Sequence, residues 1–417
     1  MTHDQIVLFE DSHARSLVFK PLTYTRSFAE ILVGCYSALE RVLTFADPES
    51  PIILHVRADL AAVIKQRYPF VLVNELVEAK RTIFINSRLL LTDHLFTQFL
   101  SNENSRVMIE DQRDEILGFN IVGPIPIGIS QLIMKGEIMK NDEVKLTERN
   151  LPKAKLFTSI WNVVNSNPVV IGSDVKRIVS QGLRAFQRGL QSNPNLDITN
   201  AKHVLVDESV AFPKRTTLDA SDGPILIEPD VKFEPNATVI GPVVIRAGAL
   251  IKAGAKIHPG VTIGPVSKVG GEIENSIIQG YSNKQHDGYL GHSFIGEWCN
   301  IGAGTNTSDL RNDYSNVKVT IEGQEFETKS LFVGLLMGDH SKSAIGTQFN
   351  TGTFCGVSSN IFCSGFPPSW IPNFSWCGPN GLEKYKYLKA LEVAKIVMAR
   401  RGKVFTEAEE DLLKSLS

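Results

Sequence analysis

The amino-acid sequence predicts an α/β domain, a parallel β-helix and a short C-terminal helical segment, in that order along 417 residues. Short apolar runs alternate with amphipathic stretches over about the first 200 residues, a pattern typical of a layered α/β domain. A six-residue apolar period follows, and helical spacing returns after it ends. We therefore predict domains over residues 1–200, 201–375 and 376–417.

In the first domain, the runs QIVLF, PIILHV and TIFIN read as strands, and SFAEILVGCYSALERVL reads as a helix. Ligands of such domains bind at the carboxyl ends of the strands. The loop after the first strand, DSHARSLVFKPLTYTR, holds Arg15, Lys20 and Arg26. These three cations suit a nucleotide phosphate. The alternative is that they are solvated loop charges.

The period of six is typical of a parallel β-helix built from hexapeptides, in which each apolar residue points inward and stacks on its equivalent one coil away. The pattern runs through Ile227, Phe233, Val239, Ile245, Ile251, Ile257, Ile263 and Val269. It breaks in GGEIENSII. We expect it to resume, first before and then after a polar interruption, with inward residues at Ile277, Asn283, Tyr289, Ile295, Ile301 and Thr307, and at Val333, Ile345, Thr351, Val357 and Cys363.

The interruption, about residues 308–331, is predicted to be a loop thrown out of the coil, where it either builds a site or only lengthens the solenoid. Beyond the coil, LEKYKYLKALEVAKIVMARRG has helical spacing, and TEAE at Thr406 is a capping-box pattern that predicts a second helix.

Composition argues against several classes of partner. The 43 Lys and Arg balance 45 Asp and Glu without a long basic run, so neither nucleic acid nor a membrane surface is an expected partner. Five cysteines without a CxxC pair fit a reducing compartment, and no signal peptide or long apolar segment is recognisable. We expect a cytoplasmic protein.

Residues 286–305, HDGYLGHSFIGEWCNIGAGT, carry the most specific motif of the chain. Their spacing resembles the acetyltransferase motif of the bifunctional N-acetylglucosamine-1-phosphate uridylyltransferase and glucosamine-1-phosphate acetyltransferase family. More narrowly, the chain resembles a divergent bacterial set of sugar nucleotidyltransferase-like proteins with the same layout. The resemblance implies a Rossmann-like, nucleotidyltransferase-like first domain followed by a left-handed β-helix.

The resemblance also implies roles for individual residues. His286 falls at the catalytic base, and a neutral imidazole suits deprotonation of an ammonium group near neutral pH. His292 and His340 are secondary candidates, and the alternative for any exposed histidine is surface decoration. The implied substrate-binding residues are Arg246, Lys268, Tyr289 and Asn300, and the turn implied to bind acyl-coenzyme A is Gly302, Ala303 and Gly304.

The sequence departs from the family pattern in both halves. After NIGAGT, a Cys-Asn-Tyr stretch is replaced by residues 307–310, TSDL, which leaves the sugar open. In the first domain, FEDSHARS replaces the glycine-rich phosphate loop, and Ser27 and Phe28 replace a lysine. Asn86, Ser87 and Arg88 stand where an aspartate would bind the metal. This domain either has a rebuilt nucleotidyltransferase site or has lost the reaction, and no metal ligands are assigned.

The expected activity is acetyl or other acyl transfer from a coenzyme A thioester to an amino-sugar phosphate on the β-helix. The alternatives are a sugar-1-phosphate nucleotidyltransferase alone and a non-catalytic relative that binds a sugar nucleotide. Acetyl-coenzyme A is the expected acyl donor. Mg²⁺ and a nucleoside triphosphate are needed only if the first domain is active. The resemblance implies a homotrimer, and leaves the sugar, the acyl group and the nucleotide open.

Overall fold

The computed structural model describes residues 4–100, 106–110, 115–125, 128–129, 147–150, 154–183, 186–187 and 189–417. The chain divides into two compact units. The first, here called the α/β unit, comprises Met1–Phe19, Thr25–Ile31 and Tyr36–Thr158. The second, the coil unit, comprises Lys20–Tyr24, Leu32–Cys35 and Ser159–Ser417. This division falls at Ser159, whereas the sequence predicted a boundary at residue 200.

The strands up to residue 150 are β1 (Gln5–Phe9), β2 (Leu32–Val33), β3 (Tyr36–Ser37), β4 (Ile52–His55), β5 (Leu72–Val73), β6 (Arg81–Asn86), β7 (Arg106–Glu110), β8 (Glu115–Val122) and β9 (Thr147–Asn150). Among the residues that the structure describes, the α-helices of the α/β unit are α1 (Ala38–Phe45), α2 (Ala58–Arg67) and α3 (Asp93–Leu100). Helix α1 begins with a capping box of Ser37 and Glu40, which satisfies its first free amides.

A seven-stranded sheet forms the α/β unit, in the order β5-β4-β1-β6-β8-β7-β9. Strand β1 is parallel to both β4 and β6, whereas β8 is antiparallel to β6 and β7. All five residues of β1 are buried, as expected for a central parallel strand that is covered on both faces. Together with the parallel coil described next, this sheet confirms the predicted architecture.

The coil unit also contains the remaining strands and helices. The strands are β10 (Leu196–Thr199), β11 (Val204–Val206), β12 (Thr216–Asp219), β13 (Ile225–Ile227), β14 (Lys232–Phe233), β15 (Thr238–Ile240), β16 (Val243–Ile245), β17 (Leu250–Ile251), β18 (Lys256–Ile257), β19 (Val261–Ile263), β20 (Lys268–Val269), β21 (Glu272–Glu274), β22 (Ile277–Gly280), β23 (Asn283–Lys284), β24 (Tyr289–Gly291), β25 (Phe294–Glu297), β26 (Asn306–Thr307), β27 (Lys318–Ile321), β28 (Gln324–Glu327), β29 (Leu336–Met337), β30 (Lys342–Ser343), β31 (Gln348–Phe349), β32 (Phe354–Cys355), β33 (Asn360–Ile361), β34 (Trp370–Ile371), β35 (Ser375–Gly378) and β36 (Gly381–Lys384). The helices are α4 (Ile160–Ser180), α5 (Tyr387–Ala399) and α6 (Glu407–Ser415).

Successive strands of the coil go to different sheets, so the chain winds as a parallel β-helix. One face is the sheet β10-β12-β15-β18-β21-β24, and a second is β11-β13-β16-β19-β22-β25-β29-β32-β34. The third face begins as β14-β17-β20-β23 and continues through Asn300 to β30-β33-β35-β36. Ile245 pairs with Ile263, one coil later, and both belong to the buried column of apolar residues inside the coil.

The phase predicted after the break was wrong by one residue for Ile277, Asn283 and Tyr289, and correct for Ile295 and Ile301, which belong to the buried column inside the coil. Val269 pairs with Lys284 and Ile273 pairs with Leu290, so Lys284 and Leu290 take the inward positions. Asn283 and Tyr289, predicted to point inward, alternate with them and point outward. The physical reason is a shortened coil, because the inward residues that follow Val269 are Ile273 and Ile278 rather than residues six apart.

The phase predicted after the interruption was also wrong, by two residues. Ile295 pairs with Met337, and the six-residue period then runs from Met337 through Phe349, Cys355 and Ile361 inside the coil. Ile345, predicted to be inward, is 80% exposed. The interruption contains the antiparallel hairpin of β27 and β28, whose length sets the new phase and does not appear in the six-residue pattern.

Helices lie on the coil at two places. In α4, the Asn167 side-chain amide donates to the Gly260 carbonyl and the Thr262 hydroxyl, at 2.9 and 3.0 Å. At the other end of the unit, Leu413 of α6 packs in a cluster with Phe374 of the coil. The predicted capping box at Thr406 is confirmed. Among the described residues, no helix is long and apolar enough to cross a membrane.

Candidate functional site

His286 lies in the turn between β23 and β24, where its side chain is exposed. The next coil brings residues 302–304 onto the same turn, because the Gly304 amide donates to the Asp287 carbonyl at 2.9 Å. The structure therefore brings the predicted base together with the predicted acyl-coenzyme A turn. The two corners meet through backbone contacts, as expected of stacked coils.

The three amides of the 302–304 turn differ in their availability. The Gly302 amide donates to the Ser343 hydroxyl at 3.0 Å, and the Gly304 amide is used by Asp287. Within the described part of the chain, the Ala303 amide has no hydrogen-bond acceptor. Of the three, Ala303 is therefore the donor that a thioester oxygen or a pantetheine amide can reach.

A buried lysine lies under the His286 turn. Lys284 is 3% exposed, and its Nζ donates to the carbonyls of Gly270 and His286, both at 2.8 Å. Burial lowers the pKa of Lys284 to about 8, against the opposing influence of Asp287 and Glu272. The ammonium connects two successive turns. The sequence analysis missed it because the predicted phase made Asn283 the inward residue.

Tyr289 lies beside two carboxylates. Its hydroxyl is 3.1 Å from both Glu274 Oε2 and Asp309 Oδ2. Burial raises the pKa of the phenol, and the two carboxylates raise it further. A sugar phosphate placed at this hydroxyl would face both carboxylates, which repel an anion and favour a hydroxyl or ammonium group.

His292 is held between the two ends of the interruption in the coil. Its Nδ1 is 2.7 Å from Asp309 Oδ2, and its ring stacks on Phe332 with the centroids 4.7 Å apart. Leu310 and Phe332 form an antiparallel bridge that joins these ends. A carboxylate at Nδ1 fixes the orientation of an imidazole and leaves Nε2 for proton transfer. Sequence reasoning gave Asp309 only as a departure from the family pattern.

Lys268 and Asn300, predicted to bind substrate, lie in one outward row on the third face of the coil. Lys268 pairs with Asn283, and Asn283 pairs with Asn300. Arg246 is differently engaged, since its guanidinium donates to Glu228 Oε2 and to the Cys35 carbonyl, both at 2.9 Å.

His340, a secondary candidate, is buried between aromatic rings. Its ring lies 6.3 Å from that of Trp298 and 5.9 Å from that of Phe405. Its role in the site stays a prediction.

The three cations predicted to bind nucleotide fall in different units. Arg15 lies near the Glu10 carbonyl, at 3.5 Å, and Arg26 is 1% exposed. A ligand outside the α/β unit therefore cannot reach Arg26 in this conformation. Lys20 belongs to the coil unit, where its ammonium lies 4.2 Å from the centroid of the Tyr24 ring.

Arg88 lies at the end of β6, where the family pattern would place a metal-binding aspartate. It is fully buried, its Nε is 3.0 Å from Asp11 Oδ1, and its Nη2 is 2.8 Å from Glu115 Oε1. Burial favours the protonated form of Asp11, but hydrogen bonds from Arg88 and Asn86 outweigh it and lower the pKa. Among the described residues, no group of three or more Asp, Glu, His or Cys is placed to hold a metal ion.

Part of the chain is similar to known sugar nucleotidyltransferases. Residues 6–182 match the family described as sugar nucleotidyl transferase. The bifunctional protein GlmU of Methanocaldococcus jannaschii is 38% identical over 93 residues, 22% of each chain. A bifunctional sugar-1-phosphate nucleotidylyltransferase/acetyltransferase of Sulfurisphaera tokodaii is 32% identical over 98 residues, 23% of this chain and 24% of the relative. GlmU of Methanococcus maripaludis is 25% identical over 287 residues, 62% of this chain and 69% of the relative.

The first two of these matches each span less than a quarter of the relative. The resemblance to sugar nucleotidyltransferases and to bifunctional transferases is confirmed, with archaeal relatives here rather than the bacterial set expected from the sequence. A solved Arabidopsis UDP-N-acetylglucosamine acyltransferase matches 50% of this chain and 79% of its own, with 14% identity and a TM-score of 0.27.

Proposed function

From this relationship to sugar nucleotidyltransferases and bifunctional transferases, we propose that the coil unit transfers an acetyl or other acyl group from a coenzyme A thioester to the amine of an amino-sugar phosphate. The observation that carries the proposal is the stacking of the 302–304 turn on the turn of His286, through the hydrogen bond between Gly304 and Asp287. This stacking supports the proposal because it brings the turn of His286, the proposed base, next to the turn that carries the Ala303 amide. The relatives described as acetyltransferases support an acetyl group.

In this mechanism, His286 takes a proton from the amine as the amine nitrogen attacks the thioester carbonyl. The C–N bond forms and the C–S bond breaks, and the thiolate of coenzyme A takes the proton back from the His286 imidazolium and leaves as a thiol. The Ala303 amide is the donor for the oxyanion or for the pantetheine arm. Lys284 holds the His286 carbonyl from beneath, which fixes the turn that presents the imidazole.

The pair of His292 and Asp309 is the rival base, since its geometry also suits proton transfer. The test is an assay of acetyl transfer from acetyl-coenzyme A to glucosamine 1-phosphate, in which the rate is measured from the release of the coenzyme A thiol. Loss of a general base costs about 10²- to 10⁴-fold in rate. We expect this loss for His286→Ala and a near-normal rate for His292→Ala.

The reverse result would assign the base to His292. If no amino-sugar phosphate accelerates the release of coenzyme A from any of several acyl-coenzyme A donors, the proposed function is wrong.

For the α/β unit, we propose a nucleotidyltransferase-like fold whose metal position is filled by Arg88. The guanidinium neutralises Asp11 and Glu115, the carboxylates that would otherwise attract a metal ion. Incubation with UTP or dTTP, sugar 1-phosphates and Mg²⁺ tests this assignment. Pyrophosphate release at a normal enzymatic rate would contradict it and would favour nucleotidyl transfer as the function.

We also propose the homotrimer that the family resemblance implies. In a homotrimer the 302–304 turn would lie between the β-helices of neighbouring subunits. Sedimentation equilibrium measures the mass of the assembly directly. Without activity in either assay, binding of a sugar nucleotide alone would support the non-catalytic alternative.

A further inference from the structure

The segment that follows α5 lies against the third face of the coil. Arg401 Nη1 donates to the Val266 carbonyl at 3.1 Å, and its Nη2 donates to Asn283 Oδ1 at 2.8 Å. Asn283 is the neighbour of Lys268 in the outward row of that face. These bonds bring Arg401, and Arg400 before it, beside Lys268.

The cations in this region are close enough to repel one another. Burial lowers the pKa of Lys268, and Arg401, Lys252 and Arg400 each lower it further. Burial and Arg400 likewise lower the pKa of Arg401. Of these four cations, Lys252 is paired with a carboxylate, that of Glu234. In the part of the chain that the structure describes, no carboxylate forms an ion pair with Lys268, Arg400 or Arg401.

Grouped cations without carboxylates raise the free energy of the empty protein, and an anion relieves that repulsion. The exposed guanidinium of Arg400 offers paired donors that match phosphate oxygens, and Arg401, whose Nη1 and Nη2 also donate to the coil, adds its charge and its remaining N–H groups. Beside them, the side-chain amide of Asn283 is 3.4 Å from Asn300 Oδ1, so the row continues with groups able to bond sugar or phosphate oxygens. Arg400 is exposed and Arg401 and Lys268 are half-buried, which leaves the group accessible.

We propose that Lys268, Arg400 and Arg401 form a binding site for the phosphate groups of an organic phosphate. The C-terminal segment thereby supplies ligand-binding residues and does not only cover the coil. The phosphate belongs either to the nucleotide end of coenzyme A or to an amino-sugar phosphate. Both present the same chemistry, and binding by either does not depend on whether the coil transfers an acyl group.

The test is isothermal titration calorimetry of the full chain with coenzyme A, glucosamine 1-phosphate and glucosamine. We expect the two phosphates to bind and glucosamine to bind at least tenfold more weakly. Arg400→Ala, Arg401→Ala and Lys268→Ala should each lower the affinity for one of the two phosphates by about tenfold, the loss expected for one hydrogen bond to a charged group. The ligand that weakens identifies the source of the phosphate.

The matched control is Lys386→Ala, which removes the same charge at the opposite end of α5 from an exposed position. It should bind both phosphates as the wild type does. Because Arg401 also bonds to the coil, its variant is interpreted with the exposed Arg400 variant and with the melting temperature of each protein.

Unchanged binding of both phosphates by all three variants would overturn the site. An equal weakening by Lys386→Ala would also overturn it, because the effect would then be general charge attraction. Acyl transfer that fails while phosphate binding responds as expected removes the proposed function and leaves the phosphate site intact.

Discussion

The lysine inside the coil predicts an unusual dependence of stability on pH. In the native coil, burial lowers the pKa of Lys284 to about 8, from 10.5 in an unfolded chain. Between these values the unfolded chain binds more protons than the native one, so the free energy of unfolding rises with pH. Below pH 8 both states hold the proton, and the native state bears the full cost of the buried charge.

The size of the effect follows from the two pKa values. One pKa step corresponds to about 1.36 kcal/mol, so the interval from 8 to 10.5 amounts to about 3 kcal/mol. Lys284→Met fills the inward position with an unbranched apolar chain and removes this contribution. The loss of two hydrogen bonds to carbonyls does not depend on pH. Between pH 7.5 and 10.5, the free energy of unfolding of the wild type should therefore rise by about 3 kcal/mol relative to that of the variant.

The assay is urea unfolding followed by tryptophan fluorescence, which reports on the coil unit because Trp161, Trp298, Trp370 and Trp376 all belong to it. Lys256→Met is the matched control, since Lys256 is an exposed lysine of the same β-helix, one coil earlier. Its pH dependence should follow that of the wild type. Parallel pH dependences for wild type and Lys284→Met would refute the reasoning, because the buried charge would then contribute nothing to the pH dependence.

Three further changes test other contacts. Gly271→Ala should lower the melting temperature more than Gly254→Ala does. Both residues have φ near +70°, but a Cβ at Gly271 meets the His286 carbonyl at 2.7 Å, whereas a Cβ at Gly254 meets open space. Equal melting temperatures would show that the His286 turn moves to make room for the Cβ. Arg88→Ala leaves two carboxylates without their cation and should destabilise the α/β unit by about 3–5 kcal/mol, measured by chemical unfolding, where a change below about 1 kcal/mol contradicts a buried pair. Asp309→Ala removes the acceptor of two side-chain hydrogen bonds and should speed proteolysis within the β27–β28 hairpin several-fold, and unchanged cleavage would mean that Asp309 does not hold the hairpin in place.

The sequence was informative where one interaction repeats. The stacking of Ile245 on Ile263 recurs every coil, so a period of six was sufficient to predict the β-helix. The phase failed where a coil changed length, because a shortened coil or an inserted hairpin shifts the residues that follow it until the length changes again. Lys284 was missed for this reason, since a polar residue in an inward position is visible only when the register is known.

The candidate site divides in the same way. The contact between the His286 turn and residues 302–304 lies within one coil of sequence, and a motif of known spacing was sufficient to predict it. Arg401 comes to Lys268 from the segment after α5, more than 130 residues later, as the bond to Val266 spans 135 residues. No local pattern encodes such a contact, which depends on where the C-terminal helices lie on the coil.

Charge differs on the two sides of the His286 turn. Along the preceding strand, β23, lies the row shared by Lys268 and Arg401, where cations exceed carboxylates. Along the following strand, β24, the Tyr289 hydroxyl meets the carboxylates of Glu274 and Asp309. If an amino-sugar phosphate is the acceptor, electrostatics orient it with the phosphate toward β23 and with hydroxyl or ammonium groups toward β24.

Tyr289 is then a contact for the sugar ring rather than for its phosphate, which differs from the role that the family motif implies. A Tyr289→Phe variant should weaken binding of glucosamine and glucosamine 1-phosphate by a similar factor. A loss confined to the phosphorylated sugar would restore the phosphate role.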